Sequence, residues 1–270
     1  MVELENKYQI GVRRFGVVNW VGAYSLYKKE VLRFLIVSGQ TLLGPILTSV
    51  LFLIVISLAI GDERSDVLGV PYIEFLANGL IMMQVIQQSF SHSSSSLMMS
   101  KMMGTIVDIV NSPLSASEVT IAVVLASITR GICIASISTI IFVIFLDLSI
   151  QNYFLWFLYL VLAGFFLGSA GFIAGLYADK FDQMATVTNF VIVPLSFLSG
   201  TFYSIEKLPD ILKSLSSYNP FFHMIDGFRY SFIGQSDGSI KFGIIFLLII
   251  SFLTWYIAYL LFRRGYKIKS

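Results

Sequence analysis

Few side chains in this 270-residue sequence are of types that do chemistry, and their spacing argues against most of it. Two histidines, His92 and His223, are thin material for metal or acid–base work, and a single cysteine, Cys133, excludes an intramolecular disulfide and any multi-cysteine metal site. No Gly-x-x-x-x-Gly-Lys-Ser/Thr loop occurs, so the chain has no phosphate cradle of that kind. No His-Glu-x-x-His zinc pair occurs either. Leu198-Ser199-Gly200 matches the opening of an ATPase signature, but it lies in an apolar run and lacks what should follow. Gly168-Ser169-Ala170-Gly171 offers a serine, as an intramembrane serine protease needs, yet packing explains it better. Gly164, Gly168, Gly171 and Gly175 form two overlapping small-xxx-small patterns, which let helices approach closely. The Ser93–Ser96 run behind His92 reads as a polar cap. No catalytic residue and no metal ligand is expected.

Two charges stand inside otherwise apolar runs, where an ionisable group is suspect by default. Arg130 lies about three turns after Glu118. It is expected to reach the near leaflet by snorkelling, with a polar cavity as the other option. Glu74 lies near the end of its run and can reach water. Neither makes the buried relay a proton-coupled pump needs.

What must position these residues is a set of membrane helices. The chain is 56% hydrophobic and only 13% charged, against roughly 45–50% and about 25% in soluble domains. A soluble protein this apolar could not cover its surface with polar groups. A crossing takes about 20 apolar residues, and the charge-poor stretches predict six: Phe34–Ile60, Pro71–Phe90, Val119–Leu146, Tyr153–Ala178, Met184–Phe202 and Phe242–Phe262. Nothing alternates with period two, which argues against a membrane barrel. The expected class is all-α, a polytopic membrane protein forming one domain over 1–270, with an N-terminal segment over 1–33, a core over 34–262 and a tail over 263–270. The N-terminal segment lacks the short apolar core of a cleavable signal peptide, so the first span is expected to act as the insertion signal.

Lysine and arginine orient the bundle. With a cytoplasmic N-terminus, the inside segments hold Lys7, Arg13, Arg14, Lys28, Lys29, Arg33, Lys101, Lys180, Arg263, Arg264, Lys267 and Lys269. The outside segments hold Arg64, Lys207, Lys213, Arg229 and Lys241. Twelve against five favours both termini inside. The net charge of +2 gives no reason to expect a nucleic-acid partner.

Three segments do not read as spans. Trp20–Arg33 interleaves Trp20, Tyr24 and Tyr27 with Lys28, Lys29 and Arg33, as an amphipathic helix lying among lipid headgroups does. In Leu97–Glu118, Met99, Met102, Met103, Ile106 and Val110 share one helical face, with Ser100, Lys101, Gly104, Thr105 and Asp108 on the other. Asn111-Ser112-Pro113 breaks that helix, and Ser115 with Glu118 reads as a capping box for the next span. A methionine face is adaptable and suits a partner, but periodicity alone allows equally that it rests on lipid or on the protein's own core. In Tyr203–Lys241, Asn219 is a good cap and Pro220 a good first helical residue. Asp226 and Arg229 are three apart and could pair. Two short helices are expected here, at least one sunk partly in the outer leaflet.

The whole chain resembles the permease subunits of type-two ABC exporters, with the match falling nearest to permeases for drug, lipid or lipo-oligosaccharide export. The residues that carry the resemblance are the loop from Lys101 to Ser115, the block from Pro194 to Tyr203 continuing to Leu208-Pro209, and Asn219-Pro220 followed by Asp226-Gly227-Phe228-Arg229-Tyr230. The resemblance implies that Lys101, Met102, Met103, Gly104, Thr105, Ile106 and Asp108 belong to a coupling helix, Lys101–Val110. It implies that Pro209, Asn219, Pro220, Asp226 and Arg229 belong to an outer re-entrant hairpin. It further implies a half-transporter in a bacterial inner membrane. Two copies of the chain would form the pathway for an amphipathic, drug-like or lipid-linked cargo, with lipid around them. Two copies of a separate ATPase would carry ATP and magnesium. The competing readings are an ion-coupled secondary carrier or channel acting alone, and a membrane enzyme.

Overall fold

A computed structural model describes residues 18–60, 66–146 and 148–267. Lys7, Arg13, Arg14, Arg64 and Lys269, used above for charge balance, lie outside the described residues. Among the described residues the protein is helical, with only an isolated bridge between Val67 and Val70. In lipid every backbone polar group must be satisfied within the protein, which a helix does locally.

The elements run α1 Trp20–Ile36, α2 Gly44–Ile60, α3 Tyr72–Met102, α4 Ile106–Asn111, α5 Ala116–Leu146, α6 Tyr153–Tyr177, α7 Phe181–Val187, α8 Val193–Leu198, α9 Asp210–Ser217, α10 Pro220–Ile233 and α11 Ile240–Arg263. Asparagine and serine side chains open several of them. Asn19 accepts from the Gly22 N–H at 3.0 Å, Asn152 from Leu155 at 3.0 Å and Asn219 from Phe221 at 3.0 Å. Ser115 and Glu118 form the reciprocal box, Ser115 N–H to Glu118 Oε2 at 2.7 Å and Glu118 N–H to Ser115 Oγ at 3.3 Å.

Among the described residues, five segments are long and apolar enough to cross a bilayer: Gly39–Ala59, Ala116–Leu146, Tyr153–Tyr177, Phe181–Leu198 and Ile240–Arg263. The expected second span is not among them. It is the first half of α3, which continues to Met102 through His92 and Ser93–Ser96 rather than stopping near Phe90. Glu74, Asn78, Gln84, Gln87 and Gln88 lower the hydropathy of that half without opening α3, where Asn78, Ser89, His92 and Ser93 are completely buried and α5, α6 and α10 pack around it. The first expected span also starts late. Phe34–Ile36 belongs to α1, and a π-helical turn over Gly39–Leu43 leads into α2. Thr41 Oγ1 donates to the Phe34 carbonyl at 2.6 Å across that corner. The fifth runs from Phe181 and ends at Leu198, where Gly200 turns the chain at φ +79°.

The glycines of α6 sit where its neighbours come closest. A methyl group at Gly164 would lie 2.9 Å from Ile128 of α5, and one at Gly168 would strike Ser127. On the next turns, one at Gly171 would strike the Phe90 carbonyl of α3, and one at Gly175 would lie 2.7 Å from the Ser94 carbonyl. Backbones this close exchange more dispersion contact than lipid supplies.

Candidate functional site

The segment singled out for coupling is two helices and a turn. Lys101 and Met102 end α3, and Gly104 follows at φ +73°, the left-handed conformation that closes a helix at little cost only in glycine. The chain restarts at Ile106. A single helix over Lys101–Val110 therefore does not form. The expected face also divides. Met102, Met103, Val107 and Val110 are exposed, at 56%, 69%, 55% and 49%, while Ile106 and Ile109 turn inward. Ile106 and Ile109 pack with Leu26, Leu97, Val119 and Phe262. Thr105 and Asp108 stay on the surface.

Lys101 points away from that surface. Its side chain is 8% exposed, and its ammonium donates to the carbonyls of Leu176 and Ala178, at 2.8 and 2.9 Å, at the end of α6. A cation there complements the negative end of the helix dipole. The same nitrogen lies 3.1 Å from Asp179. That hydrogen bond holds the Asp179 carboxyl below the usual carboxylate range, with Lys267 helping from 3.6 Å.

The start of α1 is fastened beside α4. Asn19 N–H donates to Glu118 Oε1 at 2.6 Å, and Asn19 Nδ2 to the Pro113 carbonyl at 3.0 Å. Farther along, Tyr27 and Thr129 hydroxyls meet at 2.9 Å. Trp20 and Tyr24 are exposed, and Leu26, Glu30 and Phe34 face inward. Glu30, which the sequence pattern did not single out, is 1% exposed and accepts from Ser96 Oγ at 2.7 Å and Arg33 Nε at 3.1 Å. Its four-residue spacing from Leu26 and Phe34 was the available signal. His92 Nε2 lies 3.9 Å from the same carboxylate. Arg130 does not snorkel. It is 6% exposed and donates to the Thr41 carbonyl at 3.3 Å and to Gln88 Oε1.

At the opposite end, Pro209 precedes α9, and Asn219 and Pro220 open α10. α10 is buried over most of its length against α3, α6 and α11. Asp226 and Arg229 do not pair. Asp226 accepts from the N–H groups of Asp237 and Gly238, both at 2.9 Å, and so closes the turn before α11. Burial pushes its carboxyl up to about 6, while those two donors pull it down. Arg229 is 1% exposed, donates to the Gly200 carbonyl at 2.7 Å and stacks 3.6 Å over the Phe75 ring. The i, i+3 spacing permits a pair, but Asp226 turns to the N–H groups before α11 and Arg229 to the Gly200 carbonyl and the Phe75 ring, with its Nε left without a hydrogen-bond partner. Among the described residues no cluster of histidine, cysteine and carboxylates could hold a metal ion.

Among the described residues the arrangement is that of a helical membrane protein that exposes Met102, Met103, Val107 and Val110 beside the α3–α4 turn. Residues 22–233 match the ABC-2 type transporter family. The chain is 32% identical over 253 residues to the inner membrane transport permease YadH of Escherichia coli (strain K12), spanning 93% of this chain and 98% of that protein. It is 24% identical over 266 residues to nodulation protein J of Sinorhizobium fredii (strain NBRC 101917 / NGR234), spanning 91% and 93%. To nodulation protein J of Neorhizobium galegae it is 22% identical over 265 residues, spanning 92% and 94%. This chain belongs to the ABC-2 type transporter family, as a multi-pass transport permease of the inner membrane.

Proposed function

We propose that the chain is half of the membrane domain of an exporter, driven by a separate ATPase that docks on Met102–Asn111. The observation that carries this is the exposed apolar surface beside the α3–α4 turn. Met102, Met103, Val107 and Val110 are exposed on a short turn-and-helix whose opposite side is anchored in the core. The sequence has no phosphate loop of its own, and the ATPase partner supplies ATP and magnesium chemistry.

In this reading α3 is a sixth span and both termini are cytoplasmic, with the α4 end inside and the α9–α10 hairpin re-entrant from outside. Phe181–Leu198 supports a second copy. Only 17% of this apolar helix is buried in its own chain, and Asn189 is exposed on it. An amide facing acyl chains is costly, so a second permease or the transport pathway covers it. The apolar and aromatic walls suit an amphipathic, drug-like or lipid-linked cargo. Copurification from native membrane, with mass spectrometry of bound proteins and lipids, tests the proposal. An ATPase in equal number to the permease supports it, and a permease that purifies alone while transporting contradicts it.

A further inference from the structure

The resemblance puts Lys101 in the coupling helix, on the face opposite the methionines, and its ammonium turns to the end of α6. We infer that Lys101 is the positioning residue that ties the docking turn to the α7–α8 span, through the carboxyl end of α6 and Asp179. The inference rests on the exporter reading above.

Three separate segments meet at this point. Lys101 closes α3, two residues before the Met103–Thr105 turn. The Leu176 and Ala178 carbonyls that it holds end α6. Asp179 starts the link to α7, and its N–H donates to Gln183 Oε1 at 2.8 Å, inside the first turn of α7. The tail after α11 joins from the far side, where Lys267 Nζ donates to the Tyr177 carbonyl at 3.3 Å and lies 3.6 Å from Asp179.

The tie has a clear direction. Carbonyls at a helix end lack intrahelical donors, and a buried ammonium satisfies two of them at once. Breaking it leaves an unpaired cation at 8% exposure, so the ends of α3 and α6 hold together. Phe181–Leu198, by contrast, packs only sparsely on α3, α6 and α10, whereas α11 lies along α6 and α10. A displacement of the docking turn therefore carries the end of α6 with it, and the sparsely packed span that follows is what yields. Asp179 is half exposed and contributes alignment more than strength.

The test needs no known cargo. In a Cys133→Ser chain, spin labels at Ala185→Cys and Tyr256→Cys, both exposed, report movement of the α7–α8 span against α11. The probe is ATP with vanadate, added to the purified permease–ATPase complex. The parent chain is expected to show a distance shift on trapping. Lys101→Met is expected to copurify with the ATPase but to lose that shift by about threefold or more, and Lys101→Arg, which keeps donors for the carbonyls, to retain it. An undiminished shift in Lys101→Met overturns the inference. So does loss of the ATPase from Lys101→Met, which would place Lys101 on the docking surface itself. If Lys101→Met does not accumulate, Lys101→Gln, which removes the cation and shortens the reach to the two carbonyls, takes its place. A reduced shift there supports the tie and an unchanged shift overturns it. A parent chain that brings down no ATPase removes the exporter reading, and the tie with it.

Discussion

Glu118 and Asn19 lie ninety-nine residues apart, and one carboxylate closes both of their helices. Glu118 Oε1 accepts the Asn19 N–H at the start of α1, while Oε2 accepts the Ser115 N–H at the start of α5. Carboxylates are stabilising at helix N-termini, and here one serves two. Because Asn19 also holds the Pro113 carbonyl just after α4, the start of α1 and the end of α4 are a single packed unit.

Removing that carboxylate should loosen α1 first. Glu118→Ala is expected to destabilise the protein by about 2 to 3 kcal/mol, since it strips a charged acceptor from two N–H groups. Hydrogen exchange should rise in residues 19–27 before it rises in α6. Glu118→Gln keeps one acceptor oxygen and should fall between. Equal exchange in α1 of wild type and Glu118→Ala would contradict the shared-cap account.

The α6 glycines should tolerate nothing larger. Gly171→Ala places a methyl against the Phe90 carbonyl and is expected to cost about 2 kcal/mol or more, read as a lowered Tm in detergent. Gly39→Ala meets nothing within 4 Å and should stay within about 0.5 kcal/mol of wild type. Equal effects at the two sites would show that close approach does not set the packing of α6.

Much of this architecture is legible in the sequence. Apolar runs locate five helices that can cross a bilayer, and Ser115, Glu118, Asn219 and Pro220 announce the helix starts that the structure has. What was hidden depends on contacts distant along the chain. The second half of α3 is rich in serine and looks like a loop, yet it is interior, so hydropathy misjudges it. Helical periodicity runs across Gly104 by coincidence, and only its positive φ reveals the break. Asp226 and Arg229 are well spaced to pair, but loop atoms and Phe75 arrive from elsewhere. Glu30 stands in an apolar row, where its charge disguises a buried position.

The break at Gly104 changes what a substitution there does. An L-residue in the left-handed conformation costs about 1 to 2 kcal/mol, and proline cannot adopt φ +73° at all. Gly104→Pro should therefore accumulate and insert normally but fail to stimulate its ATPase, and Gly104→Ala should lie between. Normal stimulation by Gly104→Pro would show that the geometry of this turn does not matter to coupling.

The topology of α3 can be read with an impermeant thiol reagent in a Cys133→Ser chain. Cysteines at Asp66, Lys213 and Gln235 are expected to react from outside the cell, and those at Met103 and Lys180 only after the membrane is opened. Labelling of Met103→Cys from outside would mean that α3 does not cross.

The central claim, that Met103 meets an ATPase, is tested most directly by a photo-crosslinking residue at position 103 in native membrane. The account predicts one major adduct, with a chain that carries the Gly-x-x-x-x-Gly-Lys-Ser/Thr loop missing here, and no such adduct from the same group at Leu248 on the exposed face of α11. An adduct of position 103 with lipid or with its own chain alone would contradict it.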